Sequence, residues 1–527
     1  MKKTGKKILS VTLSVMFVLL IVTPALSAAY AEKAKCTTPV VYVEGQGSTL
    51  YEYPNTPQER KIYPIDIPEG YIEEMVKKYL PVFVKAVITQ EWDDFCDALY
   101  DIMVPLFKDI KLNPQGNPYT PSGTKWTWSR ETLKNKYKDG SGELMAYTFK
   151  YDWRIDPMET AVKLRKYIED VRYVTGSDKV ALVGRCLGAS ITSAYMTMYD
   201  GEYVETCVVY CGAQSGAITC GKPFSGDLWL NADAINRYVN DIELSEDPNI
   251  NDLICAFVAL ANKTYGLDLA AAAVNNVYPK IYLKINPRIL RETYGSFPAY
   301  WSMVGEEDYQ KAKETVFYGA DMDEWSEFVA KIDNYHYNVQ QKLPETIKRQ
   351  EKNGIKWAFI SKYGYQTVPV TLKSDEISDG VVTLKESTIG ATTSKVDETF
   401  SKVYLFKAKL KGTYKYISPD LQVDASTCVV PERTWIIKNI KHKVFPESVD
   451  HLIAAIINSH GEMTVFDDPQ YPQYLVYDDE TKELSPMTQE NMDTTQRWNM
   501  TFFEALVKLF KAVGAIIKNK LPLEQIV

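Results

Sequence analysis

The sequence predicts an α/β protein with a mostly parallel sheet, helices on both faces and a large, mostly helical cap insertion. Short runs that are apolar throughout alternate with segments whose apolar residues recur every three to four positions. This alternation is typical of buried parallel strands and the helices that cover them. It stops after Gly212 and resumes at Lys356, and the stretch between, Leu228–Gln350, has a mostly helical pattern. We therefore expect an insertion that caps the carboxyl ends of the strands.

Each element is predicted from its local pattern. Pro157 suits the first turn of a helix, where its missing N–H costs nothing. Strands are predicted at Pro39–Val43, Glu143–Phe149, Lys179–Gly184, Glu205–Cys211, Lys356–Lys362 and Thr434–Asn439. Helices are predicted at Gly70–Val87, Glu91–Phe107, Pro157–Val174, Gly188–Met198 and Pro446–Asn458.

The composition is that of a soluble globular protein. The chain has 527 residues, with 45% hydrophobic and 24% charged side chains, and a net charge of −8. These values exclude a disordered tail, a multi-span membrane protein and a basic nucleic-acid binder, so no nucleic-acid partner is expected.

The first 31 residues resemble a secretory signal peptide. Four lysines precede an apolar run of about 15 residues, Ile8–Val22, and the Ala29-Tyr30-Ala31 cleavage pattern follows. A retained membrane anchor is the alternative, although the run is short for a span. Removal of this segment takes four lysines and no acids, which leaves 56 basic and 68 acidic side chains, net −12. We therefore expect a secreted or cell-surface protein.

The mature chain is expected to consist of a catalytic core with one insertion and two C-terminal segments. Residues 32–215 and 351–460 form the core, 216–350 the cap, 461–498 an acidic, turn-rich segment and 499–527 an amphipathic helix. That helix, with Lys508, Lys511 and Lys518 beside its apolar face, is expected either to dock on the domain, to contact a membrane surface or to form an oligomer contact.

The predicted strand Lys179–Gly184 runs directly into the turn Gly184-Arg-Cys186-Leu-Gly188, where a helix begins. This strand–turn–helix context is the one required for the Gly-x-Ser-x-Gly nucleophile turn, here with cysteine in the serine position. A helix N-terminus favours a thiolate by lowering its pKa. We therefore expect Cys186 to be a nucleophile; an inactive relic and a buried structural cysteine are the alternatives.

Several motifs around this turn resemble one family. They are Tyr151-Asp152-Trp153-Arg154, the early segment Pro39–Ser48, Asp379-Gly-Val-Val-Thr-Leu384 and Pro298-Ala-Tyr300-Trp301. Together they are similar to motifs of the lecithin–cholesterol acyltransferase and lysosomal phospholipase family, of the α/β-hydrolase fold. The resemblance implies an acyl hydrolase or O-acyltransferase that acts on lipid esters. The chain departs from the family pattern at Glu44, where proline is more usual, and at Cys186, where serine is expected.

The acid of the triad should follow a late strand, and the base should come after the acid. Asp379 lies in a Ser-Asp-Gly turn after the strand near Lys362, and Asp375 and Glu376 are close rivals.

Four histidines are candidates for the base. His442 follows the strand Thr434–Asn439 directly and precedes the next helix, so it is favoured over His451, His460 and His336.

These residues predict acyl transfer through a thioester on Cys186, with His442 as base and Asp379 orienting it. The backbone N–H of Leu187 and that of Gly45 or Gln46 would hold the oxyanion. Tyr300 and Trp301 in the apolar cap are expected to bind substrate. A thioester or lactone substrate and a catalytically inactive lipid-binding protein are the alternatives. Neither metal-ligand spacing nor a phosphate-cradling loop is evident, so no cofactor is expected. Cys211 and Cys220 could close a small disulfide loop.

Overall fold

The computed structural model describes residues 34–66, 71–134, 136–138, 140–242, 247–492 and 500–520. The predicted signal peptide lies outside the described residues. Eight strands form one mixed, mostly parallel sheet in the order β8-β7-β6-β5-β4-β3-β1-β2. Its strands are β1 (Val40–Val43), β2 (Tyr147–Phe149), β3 (Val180–Arg185), β4 (Val204–Tyr210), β5 (Lys356–Tyr363), β6 (Thr434–Lys438), β7 (Tyr474–Tyr477) and β8 (Leu484–Pro486).

The pairing of neighbouring strands gives their directions on both sides of the sheet. β1 pairs in parallel with β2 and with β3, and β3 pairs in parallel with β4. At the other side β6 and β7 are parallel, whereas β7 and β8 are antiparallel. The central strands are buried along almost their whole length, as expected for strands covered on both faces. The predicted α/β class is therefore confirmed.

Helices are numerous and of very different lengths. They are α1 (Tyr71–Thr89), α2 (Asp93–Phe107), α3 (Arg130–Leu133), α4 (Pro157–Thr175), α5 (Gly188–Met198), α6 (Ile218–Ser225), α7 (Ala232–Asp241), α8 (Pro248–Lys263), α9 (Gly266–Arg291), α10 (Pro298–Trp301), α11 (Glu306–Val316), α12 (Met322–Tyr335), α13 (Leu343–Lys352), α14 (Leu384–Ser387), α15 (Lys402–Leu410), α16 (Glu447–Asn458) and α17 (Phe502–Lys520). A π-helical turn, His336–Gln340, follows α12, and 3-10 turns occupy Tyr294–Ser296, Tyr414–Tyr416, Ala425–Thr427 and Pro431–Arg433.

Short strands outside the main sheet form small ribbons. They are Lys35–Cys36, Leu50–Glu52, Arg60–Tyr63, Ser122–Gly123, Tyr137–Lys138, Ser141–Glu143, Thr392–Thr393 and Val423–Asp424. The predicted strand Glu143–Phe149 is thus interrupted: its first residue belongs to a ribbon, and only Tyr147–Phe149 joins the sheet.

The chain divides into two compact units. The first unit contains Met1–Gly226, Lys280–Phe359 and Glu447–Met463, and the second contains Asp227–Pro279, Ile360–Pro446 and Thr464–Val527. This division differs from the predicted one, because residues 227–279 of the predicted cap belong with the late strands, whereas residues 280–350 belong with the first strands.

The predicted acidic, turn-rich segment 461–498 contains two strands that the sequence analysis did not expect. β7 and β8 form a hairpin within the second unit. All four residues of β7, Tyr-Leu-Val-Tyr, are buried. The run is too short to stand out among the flanking acids and prolines, and its pairing with β6 gives it a buried environment.

The C-terminal helix α17 packs against α8 within the second unit. Ala505 and Ala512 are buried there, and Lys508 forms an ion pair with Asp252 of α8 at 3.0 Å. Within the described residues, no single helix is long and apolar enough to cross a membrane; α8 and α9 meet that criterion only as a pair, bent by 81°.

Candidate active site

Cys186 occupies a strained turn between β3 and α5. Its φ is +51°, in the left-handed region that a residue with a Cβ adopts only at a cost. Its N–H donates to the carbonyl of Tyr210 at 3.1 Å, and its own carbonyl accepts from Ala189 at 3.0 Å. The surrounding hydrogen bonds therefore hold a conformation that the residue alone would avoid, which is the backbone feature of a nucleophile turn.

The two glycines of the turn are required by close approaches. A Cβ on Gly184 would lie 2.5 Å from Oγ1 of Thr192, inside helix α5. A Cβ on Gly188 would lie 2.4 Å from the carbonyl oxygens of Val43 and Glu44. Strand and helix can approach this closely only because both positions lack a side chain, which explains the Gly-x-Cys-x-Gly spacing physically.

The segment predicted to supply the oxyanion donors lies directly against the nucleophile. A Cβ on Gly45 would be 2.8 Å from Cβ of Cys186 and 3.6 Å from its Sγ. Leu187 is the N-cap of α5, so its N–H belongs to the donors at the start of that helix. The structure thus brings Gly45, Leu187 and Cys186 together in the first unit.

The loop Glu44–Ser48 is anchored at three points by aromatic side chains. The Tyr151 hydroxyl donates to the carbonyl of Glu44 at 2.9 Å, and the Trp153 indole N–H donates to that of Ser48 at 3.1 Å. The Tyr300 hydroxyl donates to Oε1 of Gln46 at 2.7 Å. The Tyr-Asp-Trp-Arg motif therefore contributes two of the three anchors.

The charged pair of the same motif connects it to neighbouring parts of the chain. Arg154 is fully buried and forms a bidentate pair with Asp152, with its Nε and Nη2 atoms 2.9 and 2.6 Å from the carboxylate oxygens. Its remaining donors reach the Ile110 carbonyl and Ser122 Oγ, both at 2.9 Å. The guanidinium thus makes four hydrogen bonds and connects the motif to the neighbouring chain.

Asp379 and His442 form a buried pair within the second unit. Nδ1 of His442 lies 2.6 Å from Oδ2 of Asp379, and both side chains are less than 10% exposed. The other carboxylate oxygen, Oδ1, accepts the N–H groups of Val381 and Val382 at 3.0 and 2.8 Å. The Ser-Asp-Gly turn therefore holds one oxygen and presents the other to the histidine.

The charge state of the pair follows from these contacts. Burial raises the pKa of Asp379, but the neighbouring His442 and the two backbone N–H groups outweigh burial, so that its pKa lies below the ordinary value. An ionised carboxylate can only accept a hydrogen bond, so Nδ1 of His442 carries the proton. In the neutral ring, Nε2 is then the basic nitrogen.

A buried lysine fixes the loop that carries the histidine. Lys362, at the end of β5, donates through Nζ to the carbonyls of Val444 at 2.6 Å and His442 at 3.3 Å. The backbone N–H of His442 donates to the carbonyl of Asp379 at 2.9 Å. Lys362 is absent from the predicted site residues, because no local pattern marks a lysine that bonds a loop some 80 residues later.

The rival residues are engaged elsewhere. His336 is buried and stacks on Tyr309, with a ring separation of 3.6 Å. His451 is exposed on α16, and His460 lies 3.2 Å from Glu205 at the surface. The rival acids both pair with lysines: Asp375 with Lys395 at 2.6 Å and Glu376 with Lys373 at 3.8 Å.

The two residues predicted to bind substrate are both buried. Trp301 is 1% exposed, donates its indole N–H to the Gly295 carbonyl at 2.9 Å and stacks on Phe317 at 5.5 Å. Tyr300 is 9% exposed and stacks on Tyr294. Their present contacts are those of core residues, and substrate binding by either one stays a prediction.

Cys186 differs from the other cysteines in its exposure. All eight lie within the described residues and none is disulfide-bonded, so the disulfide that Cys211 and Cys220 could form is not present. Seven are buried, whereas Cys186 is partly exposed. Burial raises the pKa of Cys36 and of Cys428 to about 12 in each case. Cys186 is therefore the thiol that a reagent can reach.

No cluster of three or more histidine, cysteine, aspartate or glutamate side chains suited to a metal ion occurs in the described parts of the chain. The candidate groups of the first unit are a thiol and backbone N–H donors, and those of the second unit are an imidazole and a carboxylate.

No protein-family model and no curated protein sequence matches the chain. Among solved structures, one chain from "The crystal structure of Tle4-Tli4 complex" is similar at 14% sequence identity, over 62% of this chain and 75% of that chain, with a TM-score of 0.22. A TM-score of this size supports no statement on fold or function.

Proposed function

We propose that the protein is a secreted acyl hydrolase or O-acyltransferase of the α/β-hydrolase fold that acts on lipid esters. The observation that carries the proposal is the left-handed φ of +51° at Cys186, in a glycine-bounded turn between a buried strand and a helix. Strain of this kind persists where the surrounding structure enforces it, and it is typical of functional residues. The motifs shared with the lecithin–cholesterol acyltransferase and lysosomal phospholipase family suggest the substrate class.

In the proposed reaction, Cys186, His442 and Asp379 act as a triad. Nε2 of His442 accepts the proton of the Cys186 thiol, and Sγ attacks the ester carbonyl carbon. When the tetrahedral intermediate collapses, the bond to the leaving alcohol breaks and the imidazolium returns the proton to the alcohol oxygen. The thioester is then cleaved by water, giving a free acid, or by an acceptor alcohol, giving a new ester. Asp379 holds the imidazole in the tautomer that the reaction needs.

Backbone donors would stabilise the oxyanion. Leu187 supplies one N–H from the start of α5, and Gly45, whose backbone lies against Cys186, supplies the second. Two such donors, fixed before the substrate arrives, stabilise the negative charge that develops on the carbonyl oxygen. Loss of one donor costs about 3 kcal/mol of transition-state stabilisation.

The decisive experiment uses residues 32–527 with short-chain and long-chain acyl esters. We expect ester turnover that iodoacetamide abolishes, with one equivalent of label on Cys186. Cys186→Ala should be inactive, and Cys207→Ala, which changes a buried thiol, is the control for loss of a cysteine. Turnover that survives both alkylation and Cys186→Ala would overturn the thiol nucleophile.

A second experiment tests whether the histidine of the second unit serves the cysteine of the first. His442→Ala should lower kcat and raise the apparent pKa at which iodoacetamide reacts with Cys186, since the imidazole stabilises the thiolate. His451→Ala, on the exposed side of α16, is the matched control. An alkylation profile identical in wild type and His442→Ala would contradict the triad.

The alternatives give different results in the same assays. Rapid turnover of thioesters or lactones, with oxygen esters of long acyl chains left intact, would identify a thioesterase or lactone hydrolase. An unreactive Cys186 and no turnover of any ester would identify an inactive lipid-binding protein. Secretion itself is tested by N-terminal sequencing of protein from the culture medium, which should begin at residue 32.

We also propose a membrane-surface contact through residues 499–527. Helix α17 turns its small residues, Ala505 and Ala512, to the protein and leaves Phe503 and Phe510 exposed at 72% and 66%. A helix that only docks would bury its large apolar side chains. Exposed phenylalanines on one face suit the interfacial region of a bilayer, where lipid ester substrates are presented.

A further inference from the structure

The side chain of Gln46 links the candidate oxyanion loop to a distant part of the chain. Its Oε1 accepts the Tyr300 hydroxyl at 2.7 Å, across 254 residues of sequence. The Tyr63 hydroxyl also hydrogen-bonds the Gln46 side chain. Gln46 is adjacent to Gly45, whose backbone lies against Cys186. A contact that fixes Gln46 therefore also restricts its neighbour Gly45, the residue that lies against the nucleophile.

Tyr300 is itself rigidly held. It is 9% exposed, its ring stacks on Tyr294 at 5.0 Å, and the N–H of its neighbour Ala299 donates to the carbonyl of Arg154 at 3.3 Å. Burial raises the pKa of Tyr300 well above its ordinary value, so the phenol stays protonated and remains a donor. A fixed donor of this kind restricts the Gln46 side chain to one rotamer and, through it, restricts the backbone of the loop.

We propose that Tyr300 is a positioning residue for acyl transfer, which acts through Gln46 to hold the Glu44–Ser48 loop in the conformation that accepts the oxyanion. The inference rests on the proposed acyl-transfer function and gives Tyr300 a role different from substrate contact. The backbone carbonyls at both ends of the loop are already bonded, to Tyr151 and Trp153. The Tyr300–Gln46 bond is the anchor in the middle, where the second oxyanion donor is expected.

Tyr300→Phe removes the hydroxyl and keeps the ring. We expect kcat for ester turnover to fall about 3- to 10-fold, the effect of one neutral hydrogen bond, with KM unchanged. The rate at which iodoacetamide alkylates Cys186 should stay the same, because alkylation needs the thiolate but not an oxyanion site. Hydrogen exchange in a peptide that covers residues 44–48 should become faster.

Tyr309→Phe is the matched control. Tyr309 lies on α11 and donates its hydroxyl to Asp333 at 2.8 Å, so the variant loses one partly buried hydrogen bond without changing a contact of Gln46. It should leave kcat and the exchange of residues 44–48 as in wild type. Gln46→Leu removes the bonds to both Tyr300 and Tyr63, so it should lower kcat at least as much as Tyr300→Phe. Adding Tyr300→Phe to Gln46→Leu should cause no further loss, because the Tyr300 bond is already absent.

Two results would overturn the inference. One is an unchanged kcat and unchanged exchange in Tyr300→Phe. The other is a fall of kcat, alkylation rate and thermal stability that is the same in Tyr300→Phe and Tyr309→Phe, because an equal loss in both variants indicates general destabilisation. If the wild-type protein turns over no ester, the proposed function fails instead. The exchange of residues 44–48 in Tyr300→Phe against Tyr309→Phe then decides whether Tyr300 positions the loop.

Discussion

His442 and Asp379 are joined by a 2.6 Å contact between Nδ1 and Oδ2 in the buried interior of the second unit. The carboxylate that takes part is also held through its other oxygen by the N–H groups of Val381 and Val382. Three donors therefore converge on one carboxylate, and this sets both the direction of the imidazole and the charge of the acid.

Asp379→Asn should destabilise the protein at neutral pH and much less in acid. The pKa of Asp379 lies below its ordinary value of 3.8 in the folded protein, so its ionised form contributes stability that is complete above about pH 4 and is lost as the pH falls through the folded-state pKa. Removing the charge should lower the free energy of unfolding by about 2 kcal/mol at pH 7. Urea unfolding at pH 7, 5 and 3 measures the difference, and a difference that stays constant to pH 3 would contradict this account.

Asp156→Asn should have the opposite pH dependence. Asp156 is the N-cap of α4, with its carboxylate accepting the Met158 N–H at 2.9 Å, and burial raises its pKa from 3.8 to about 6. A raised pKa gives a contribution to stability that is present below about pH 4 and is lost as the pH rises through 6. When the pH is lowered from 7 to 4, the free energy of unfolding of the wild type should rise by roughly 2–3 kcal/mol relative to that of the variant.

The control for this prediction is Asp321→Asn. Asp321 is the exposed N-cap of α12 and makes the same kind of bond, to the N–H of Asp323 at 3.0 Å. The change in the free energy of unfolding of this variant measures the effect of replacing a carboxylate with an amide at an exposed N-cap. If Asp156→Asn and Asp321→Asn give parallel stability curves between pH 4 and pH 7, burial of Asp156 has no part in the pH dependence.

Gly45→Ala should impair acyl transfer, whereas Gly47→Ala in the same loop should not. The added methyl at Gly45 would meet Cβ of Cys186 at 2.8 Å and the Arg185 carbonyl at 3.2 Å, so the loop or the nucleophile must move. At Gly47 nothing lies within 4 Å of such a methyl. We expect kcat of Gly45→Ala to fall by roughly 100-fold, as for a displaced oxyanion donor. Equal kcat values for the two variants would remove Gly45 from the proposed site.

The parts of this architecture that depend on short-range patterns could be predicted from the sequence. Val180–Arg185 and Gly188–Met198 form within a residue of the predicted bounds, since a buried strand and a glycine-bounded helix start are local features. Asp379 and His442 could be chosen among the acids and histidines because each follows a late strand, in the order acid then base, and the structure pairs them.

Long-range contacts and weak local signals could not be predicted. The Tyr300–Gln46 bond joins residues 254 positions apart, and the Lys362 clamp on the histidine loop depends on the path of a chain that no spacing rule describes. The strand Tyr474–Tyr477 was missed because four apolar residues between turns fit a strand or a loop equally well, and only burial in the sheet distinguishes them.

Substitutions on the outer face of α17 should weaken lipid binding without affecting the fold. Phe503→Ser and Phe510→Ser each remove an exposed aromatic ring, and we expect each to lower the partition of the protein onto vesicles of zwitterionic phospholipid about 10-fold. Phe406→Ser on α15 is the matched control, because Phe406 is also exposed, at 61%, but lies on another helix. Binding should persist in 0.5 M salt, since residues 32–527, with a net charge of −12, are held by apolar contact rather than by global charge. Vesicle flotation measures the bound fraction, and sedimentation of the protein without lipid measures self-association. If both α17 variants float as wild type does, and if wild type forms dimers that both variants lack, this face contacts a second copy of the chain and not a membrane.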